Sequence, residues 1–323
     1  MADQFGKVAV LMGGLSAERK VSLKSGQAVL DALLRQGVNA IGIDANQKTV
    51  LQLQQEQFDR VFIVLHGRWG EDGVIQGALE SIGMPYTGSG VSACAIAMDK
   101  ILTKRIWQSY GLPTANFCEA RSVEELDGLV EKLGLPMYIK APHEGSSVGV
   151  IKVNKASELE PAWRSASEHD EAILCESYNS GDELTVAILD GKALPVIRIV
   201  AANEFYDFDA KYESNETQYL CPAGLSAEFE GHIKSLAEQA FAAIQGSGWG
   251  RVDVMLDANG EPQLLEVNMV PGMTDHSLVP MAAKAVGLSF DDLVLKILSD
   301  TLVSANQEPS ACKEPSACKE PSA

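Results

Sequence analysis

Residues 250–268 read GRVDVMLDANGEPQLLEVN, a stretch in which two apolar-rich segments flank an Asn-Gly pair at positions 259 and 260. Asn-Gly between two such segments is a strong signal for a β-hairpin closed by a two-residue type I′ turn. Counting outward from that turn pairs Asp253 with Glu266 and Arg251 with Asn268. The hairpin therefore predicts two carboxylates that face each other on neighbouring strands.

The facing carboxylates of Asp253 and Glu266 need positive charge nearby, because like charges directly opposite each other destabilise a strand pair. A hard cation held by both carboxylates and by the amide oxygen of Asn268 would supply that charge, and oxygen-only ligands suit Mg²⁺. The alternative is a polar outer face on which Arg251 reduces the repulsion without a metal. We predict a magnesium site and keep the ion-pair alternative open.

A second hairpin signal lies upstream, where Asp190-Gly191 separates two more alternating segments. A polar loop with several aromatic residues follows over 203–224, and an amphipathic pattern predicts a long helix over 227–244. Hairpins around a long helix indicate an antiparallel α+β domain, which we place at residues 181–306.

The first part of the chain has a different pattern, in which strand-like and helix-like segments alternate. These segments lie at 7–12, 16–36, 38–43, 60–65 and 73–82. Such alternation predicts a parallel sheet covered by helices, in a first domain of residues 1–97. Ligands of these sheets bind beyond the carboxyl ends of strands, where Glu18 and His66 stand. The alternatives are a helix-dipole role for Glu18 and simple packing for His66.

A loop of small residues, HEGSSVG at 143–149, follows a predicted strand that ends at Lys140. Small residues let backbone N–H groups approach an anion closely, as phosphate-binding loops require. The loop is not a Walker A motif, because no Gly-Lys-Ser or Gly-Lys-Thr follows, and an ordinary turn is the alternative. Lys100 and Lys140 could supply positive charge for a triphosphate. We predict a central α+β domain at residues 98–180.

The composition narrows the class of protein. A formal net charge of −18 over 323 residues argues against nucleic acid as a partner, although a few placed lysines can still bind ATP. No apolar run reaches the roughly 18 residues of a membrane span, and the N-terminus lacks a signal-peptide pattern, so we expect no membrane partner and a cytoplasmic location. The repeated ACKEPS segment within 307–323 predicts a disordered tail.

A series of motifs, in order along the chain, resembles the D-alanine–D-alanine ligase family of the ATP-grasp superfamily. The motifs are GGLSAE (13–18), LHGRWGEDG (65–73), PYTGSG (85–90), MDK (98–100), EGSSVG (144–149), KY (211–212), CPAG (221–224), GRVDVMLD (250–257), LLEVNMVPGMT (264–274) and HSLVPMAA (276–283). The resemblance extends from about Lys7 to Leu298. It departs from the family pattern at Met269, where members usually have a small polar residue.

The resemblance implies an α/β protein with the ATP-grasp fold, in which an N-terminal parallel α/β domain precedes a central α+β domain and a C-terminal antiparallel α+β domain. It also implies that ATP binds between two antiparallel sheets. Two Mg²⁺ ions, which Mn²⁺ can replace, would be held by Asp253, Glu266 and Asn268. The implied nucleotide-binding residues are Lys100, Lys140, Glu176, Ser177, Tyr178, Asn179 and Glu183.

The implied reaction is the ATP-dependent ligation of two D-alanines to D-alanyl-D-alanine through an acyl phosphate, for bacterial peptidoglycan synthesis. The implied catalytic residues are Glu18, Ser146, Tyr212, Arg251 and Gly272. The implied substrate-binding residues are His66, Lys211, Ser277 and Leu278. In this family Lys211 and Tyr212 lie on a lid over the reactants, which excludes water from the acyl phosphate. The resemblance also implies a homodimer.

Three other functions compete with this interpretation. The nearest is an ATP-grasp ligase that uses D-lactate or D-serine as acceptor, since it would share every nucleotide and metal motif. A nucleotide-binding regulatory protein without turnover is disfavoured by the presence of Arg251, Asp253, Glu266 and Asn268 together. An NAD-dependent oxidoreductase would explain only the first glycine-containing loop.

Overall fold

In the computed structural model of this chain, residues 2–145, 149–200, 217–274 and 276–304 are described. The strands are β1 (Val8–Gly13), β2 (Ala40–Ala45), β3 (Arg60–Ile63), β4 (Phe117–Ala120), β5 (Met137–Lys140), β6 (Ile151–Val153), β7 (Ile173–Ser177), β8 (Glu183–Leu189), β9 (Lys192–Ala193), β10 (Ile197–Val200), β11 (Gln218–Leu220), β12 (Trp249–Leu256) and β13 (Pro262–Asn268). The helices are α1 (Arg19–Arg35), α2 (Thr49–Gln55), α3 (Val74–Ser81), α4 (Val91–Met98), α5 (Lys100–Ser109), α6 (Leu129–Leu133), α7 (Leu159–Ala166), α8 (Ala227–Ala243), α9 (Leu278–Ala285) and α10 (Phe290–Ser304). Short 3₁₀ segments lie at Ala2–Phe5, Val123–Leu126 and Ala156–Glu158.

The N-terminal sheet is parallel, as the alternation of strands and helices predicts. Strand β1 lies between β2 and β3 and pairs in parallel with both. All six residues of β1 are buried, which explains why its sequence is continuously apolar rather than alternating. Because β1 and β3 run side by side in the same direction, the loops that follow them meet at one edge of the sheet.

The central sheet is antiparallel and has the strand order β4-β7-β5-β6. Tyr138 on β5 is the Cα partner of Glu176 on β7. Lys140 lies two residues beyond Tyr138 on β5, so its side chain projects from the same face of the sheet as Glu176. This register is what brings a lysine and a glutamate together beside the loop of small residues.

The C-terminal sheet is also antiparallel, with the order β11-β10-β8-β12-β13 and β9 paired to β8. The predicted turn at Asp190-Gly191 is confirmed: both residues have positive φ, 51° and 70°, and Leu189 pairs with Lys192 across them. Positive φ at both central positions is the type I′ geometry that Asp-Gly favours. Helix α8 packs against this sheet through Ile233, Ala237 and Phe241.

The hairpin of β12 and β13 pairs Asp253 with Glu266 and Arg251 with Asn268, as predicted, but its turn is not the predicted one. Gly260 has a positive φ of 82°, whereas Asn259 is not among the residues with positive φ. The Asp257 side chain accepts hydrogen bonds from the backbone N–H groups of Asn259 (2.8 Å) and Glu261 (3.0 Å), which stabilises a wider loop. A register shift after Asp253 compensates for the wider loop and restores the predicted pairs.

Helices α5 and α10 make contacts between different predicted domains. Trp107 on α5 is fully buried with residues of the C-terminal sheet and donates a hydrogen bond to the Ala240 carbonyl at 3.0 Å. Helix α9 packs against β8 of the C-terminal sheet, whereas α10 packs against α1 of the N-terminal domain, and the Thr301 hydroxyl on α10 accepts a hydrogen bond from Arg60 on β3 at 2.8 Å. Within the described ranges, no helix is both long enough and apolar enough to cross a membrane.

Candidate active site

The loops after β1 and β3 are joined directly, which builds one wall of the candidate active site. The Ser16 hydroxyl donates to the carbonyl of His66 at 2.6 Å. Gly67 has a positive φ of 68°, and a Cβ atom there would lie 3.3 Å from the Ser16 Cβ, so this close approach favours glycine. The consequence is that Glu18, at the start of α1, lies beside His66.

Glu18, His66 and Glu71 form a small pocket of cation-binding groups. One side-chain N or O atom from each lies within 4.8 Å of those of the other two. The Nδ1 atom of His66 is 2.8 Å from the Val270 carbonyl, which makes Nδ1 the protonated nitrogen and leaves Nε2 as an acceptor. That Nε2 atom is buried and has no hydrogen-bond partner among the described residues. Burial lowers the pKa of His66, so the ring is neutral.

Glu71 was missed by the sequence analysis, and it connects the two sides of this pocket. Its Oε2 accepts from the Gly67 N–H at 2.7 Å, and its Oε1 accepts from the Val270 N–H at 3.1 Å. Burial, together with the nearby charge of Glu18, raises the pKa of Glu71 to about 8. A cation bound beside Glu71 would favour the ionised form of its carboxyl group. The pocket is therefore suited to a small cation such as an ammonium group.

The loop of small residues reaches this pocket from the central domain. A Cβ atom at Gly145 would lie only 2.6 Å from the Glu18 Oε1, so the backbone approaches the carboxylate at van der Waals distance. Arg68 from the loop after β3 forms an ion pair with Glu144 at 2.8 Å. Ser146, the next residue of the predicted site, lies outside the described residues. The two contacts at 144 and 145 fix the loop above Glu18.

The carboxylate of Asp253 is buried at the centre of a polar network. Arg251 donates to both of its oxygens, at 2.8 and 2.7 Å. The Thr185 hydroxyl donates to Oδ1 at 2.6 Å, and the Asn268 amide donates to Oδ2 at 3.0 Å. The ion pair of Arg251 with Asp253, which the sequence offered as the alternative to a metal, is thus present in the structure. The donor set of Asp253, Glu266 and Asn268 on paired strands still fits Mg²⁺, because it offers several oxygen atoms from one face of the sheet.

Lys100 links this group of oxygens to the loop of small residues. Its Nζ lies 3.5 Å from a carboxylate oxygen of Glu266 and donates to the Glu144 carbonyl at 2.9 Å. Lys100 is the first residue of α5, which is capped by the Asp99 side chain through hydrogen bonds to two backbone N–H groups. The cap fixes the helix end, and with it the position of Lys100 between Glu144 and Glu266.

A second buried cluster contains Lys140, Glu176 and Lys104. Lys140 Nζ contacts Glu176 Oε1, and Lys104 Nζ lies 2.9 Å from Glu176 Oε2. Burial opposes ionisation of Glu176, but the charges of Lys104 and Lys140 outweigh it and lower the Glu176 pKa to about 2. Lys104, which the sequence analysis did not single out, is therefore a member of the site that contains two predicted nucleotide-binding residues.

The remaining predicted nucleotide-binding residues line the end of β7 and the start of β8. The rings of Tyr178 and Tyr138 are 5.5 Å apart, and Lys152 lies over the Tyr178 ring at 4.3 Å. The Ser177 hydroxyl donates to the Leu133 carbonyl at 2.9 Å, so that side chain is engaged in holding the fold. Asn179 and Glu183 are half-buried beside them.

The segment after β13 carries the last group of predicted residues. A Cβ atom at Gly272 would lie 3.0 Å from the Ser277 hydroxyl, so the glycine permits a tight turn before α9. The Ser277 hydroxyl accepts from the Thr274 N–H at 2.9 Å and precedes Leu278, the first residue of α9. The predicted lid residues Lys211 and Tyr212 lie outside the described residues.

Comparison with protein families gives matches to two families over most of the chain. Residues 106–299 match the family described as D-ala D-ala ligase C-terminus. Residues 45–89 match the family described as D-ala D-ala ligase N-terminus.

Individual relatives and solved structures agree with the family matches. A D-alanine–D-alanine ligase of Laribacter hongkongensis is 53% identical over 298 residues, covering 92% of this chain and 97% of the relative. That of Stutzerimonas stutzeri is 54% identical over 303 residues, covering 94% and 96%. A Bacillus anthracis D-alanine–D-alanine ligase structure complexed with ATP has a TM-score of 0.82 at 33% identity, covering 93% of this chain and 98% of the other. A VanG D-Ala:D-Ser ligase from Enterococcus faecalis has a TM-score of 0.80 at 29% identity, covering 91% and 99%.

Proposed function

This chain belongs to the D-alanine–D-alanine ligase family, and on that premise we propose that it joins two D-alanines into D-alanyl-D-alanine while converting ATP to ADP and phosphate. The product would serve bacterial peptidoglycan synthesis. One observation carries the assignment of the site: residues 144 and 145 connect the pocket that contains Glu18 with the group that contains Lys100 and Glu266. The Glu144 carbonyl accepts from Lys100 beside Glu266, and Gly145 lies against Glu18.

The pocket of Glu18, His66 and Glu71 would bind the ammonium group of the first D-alanine. A neutral His66 whose Nε2 is a hydrogen-bond acceptor suits an N–H donor, and two carboxylates suit its positive charge. Binding the ammonium here holds the D-alanine carboxylate away from Glu18 and Glu71, which would repel it. The carboxylate is then directed to the side of Lys100 and Arg251.

In the first step an oxygen of this carboxylate attacks the γ-phosphorus of ATP, and ADP leaves as the bridging P–O bond breaks. The step needs alignment of the reactants and neutralisation of several negative charges. Lys100 and Lys140 would contact the phosphates. Mg²⁺, held by Asp253, Glu266 and Asn268, would supply further positive charge when bound. Oxygen donors from two paired strands support this assignment.

In the second step the amine of the second D-alanine attacks the carbonyl carbon of the acyl phosphate, and inorganic phosphate leaves as the attacking nitrogen loses a proton. Negative charge develops on the carbonyl oxygen during this attack. The guanidinium of Arg251 and the backbone N–H of Gly272 would stabilise that charge. Ser277 and the Leu278 backbone, at the start of α9, would receive the carboxylate of the second D-alanine.

The lid residues and the assembly complete the proposal. Lys211 and Tyr212 would close over the reactants, with Ser146 connecting Tyr212 to Glu18. The enzyme would act as a homodimer in the cytoplasm, and its sedimentation in solution tests the dimer. A ligase for D-serine or D-lactate is the second candidate, because the E. faecalis D-Ala:D-Ser ligase shares this fold. The higher identity to D-alanine–D-alanine ligases favours the first.

Trapping the acyl phosphate tests the chemistry of the first step. With ATP, Mg²⁺, D-alanine and hydroxylamine, the protein should form D-alanyl hydroxamate and ADP in equal amounts. Hydroxylamine replaces the second amine as nucleophile, so hydroxamate appears only if the carboxylate is activated. ADP formation that leaves no hydroxamate, at hydroxylamine concentrations that suppress dipeptide formation, would contradict an acyl phosphate.

A further inference from the structure

Lys104 is a deeply buried lysine beside Glu176, one of the proposed nucleotide-binding residues. It lies on α5 one turn after Lys100, so both lysines project from the same face of the helix. Its Nζ donates to the Thr114 hydroxyl at 2.6 Å and pairs with Glu176 Oε2 at 2.9 Å. The Thr114 hydroxyl in turn donates to the Leu264 carbonyl at 2.8 Å. These contacts hold the ammonium group of Lys104 in one position.

Stability alone does not account for this arrangement. The side chains of Lys104 and Glu176 are only 1% and 2% exposed, so each loses its hydration when the chain folds. A buried ion pair of this kind is usually no more stable than well-packed apolar residues of similar volume. Burial also lowers the pKa of Lys104, and Glu176 opposes that effect. A functional use of the Lys104 charge would explain its presence.

The cluster of Lys104, Lys140 and Glu176 contains more positive than negative charge. Lys104 and Lys140 are both within ion-pair distance of the single carboxylate of Glu176, which leaves one net positive charge. Lys140 is the less buried of the two lysines and stands at the end of β5, directly before the loop that contains Glu144 and Gly145. It is therefore the lysine that an incoming phosphate can reach.

We propose that Lys104 is a positioning residue for nucleotide binding: it neutralises Glu176, so that Lys140 can direct its charge to the phosphates of ATP. Without Lys104, the carboxylate of Glu176 would have Lys140 as its only close cation in the cluster and would hold it. A phosphate would then have to compete with a buried carboxylate for Lys140. This inference rests on the proposed placement of the phosphates beside Lys140.

The ratio of the affinities for MgADP and adenosine isolates this effect. Adenosine lacks phosphates, so contacts to the base and the ribose cancel in the ratio. In Lys104→Met, we expect the preference for MgADP over adenosine to fall roughly tenfold, the order of one hydrogen bond to a charged group. The control is Arg105→Met, which removes a positive charge from the next residue of α5 but from an exposed ion pair with Glu119. Its ratio should match that of the wild type.

Two further variants separate a charge effect from a structural one. Glu176→Gln removes the carboxylate that competes for Lys140, so its preference for MgADP should be at least that of the wild type. The double variant Lys104→Met/Glu176→Gln should recover the preference that Lys104→Met loses, because Lys140 is again uncommitted. A merely structural role for Lys104 predicts no recovery. If Lys104→Met does not fold, a reduced ratio in Glu176→Gln alone would overturn the proposal.

The outcomes also distinguish this inference from the proposed function. A wild-type protein that binds adenosine as tightly as MgADP would contradict the phosphate site itself. A normal wild-type preference that is unchanged in Lys104→Met, or not recovered in the double variant, would contradict only the role of Lys104.

Discussion

Asp253 lies directly opposite Glu266 on paired strands, and each carboxylate already has a basic partner, Arg251 for the first and Lys100 for the second. The repulsion between the two acids is thus offset by side chains that the proposed mechanism also uses. Asp253 is held by four hydrogen bonds from Arg251, Thr185 and Asn268, whereas Glu266 is more exposed. The two acids should therefore respond differently to substitution.

The first prediction concerns Glu266→Gln. This variant should lose at least about 100-fold in kcat/KM for ligation, since a metal ligand that neutralises phosphate charge contributes several kcal/mol. Its melting temperature should stay close to that of the wild type, because the side chain is partly exposed. The matched control is Glu261→Gln, an exposed acid at the other end of the hairpin. Near-normal activity of Glu266→Gln at saturating Mg²⁺ would rule out Glu266 as a ligand.

The second prediction concerns Glu71 and proton release. With a pKa of about 8, Glu71 is largely protonated at pH 7. An ammonium group entering the pocket favours the carboxylate and lowers that pKa, so binding of D-alanine should release up to about one proton. Calorimetric titrations of D-alanine in two buffers of different ionisation enthalpy measure the release.

In Glu71→Gln this proton release should disappear, since no titrating group remains at that position. The same binding enthalpy in both buffers for the wild-type protein would show that Glu71 does not change its protonation when D-alanine binds.

The third prediction concerns His143, at the start of the loop of small residues. The carboxylate of Asp99, 3.6 Å away, and that of Asp170, hydrogen-bonded at 2.9 Å, raise the pKa of His143, against a smaller effect of burial. The folded protein therefore holds this proton more tightly than the unfolded chain. The stabilisation is fully present below the unfolded pKa of about 6.5 and is lost as pH rises through the raised folded value.

Chemical denaturation of wild type and His143→Gln at about pH 5.5 and about pH 8.5 tests this sign. The free energy of unfolding of the wild type should exceed that of His143→Gln by more at the lower pH than at the higher pH. This excess should be below about 1 kcal/mol, because the His143 side chain is partly exposed. Arg68, 3.8 Å from Asp170 and paired with Glu144, is a further charged group near His143. A larger difference at the higher pH would contradict the assignment.

The two hairpins show how far local sequence signals extend. Asp190-Gly191 forms the predicted two-residue turn because both residues adopt positive φ. At Asn259-Gly260, hydrogen bonds to the Asp257 side chain favour a wider loop, which no dipeptide signal reveals. The pairing of Asp253 with Glu266 was nevertheless predicted correctly, because the register shift later in the hairpin compensates for the wider loop.

Residues whose role depends on distant contacts were harder to predict. Glu71 is defined by its bonds to Gly67 and Val270, which are far apart in the sequence and come together only in the folded protein. Lys104 had a usable signal, since it lies one helical turn after Lys100 on the same face of α5. Its ion pair with Glu176 on β7 is a tertiary contact that the local sequence does not reveal.

The central claim is that the site activates one D-alanine and joins it to a second. Phosphate release from ATP in the presence of Mg²⁺ measures this most directly, with D-alanine, L-alanine, D-serine and D-lactate supplied singly and in pairs with D-alanine. The account predicts rapid release with D-alanine alone, D-alanyl-D-alanine as the product, and no release with L-alanine. Release that is absent with D-alanine alone and appears only when D-serine or D-lactate is added would contradict it.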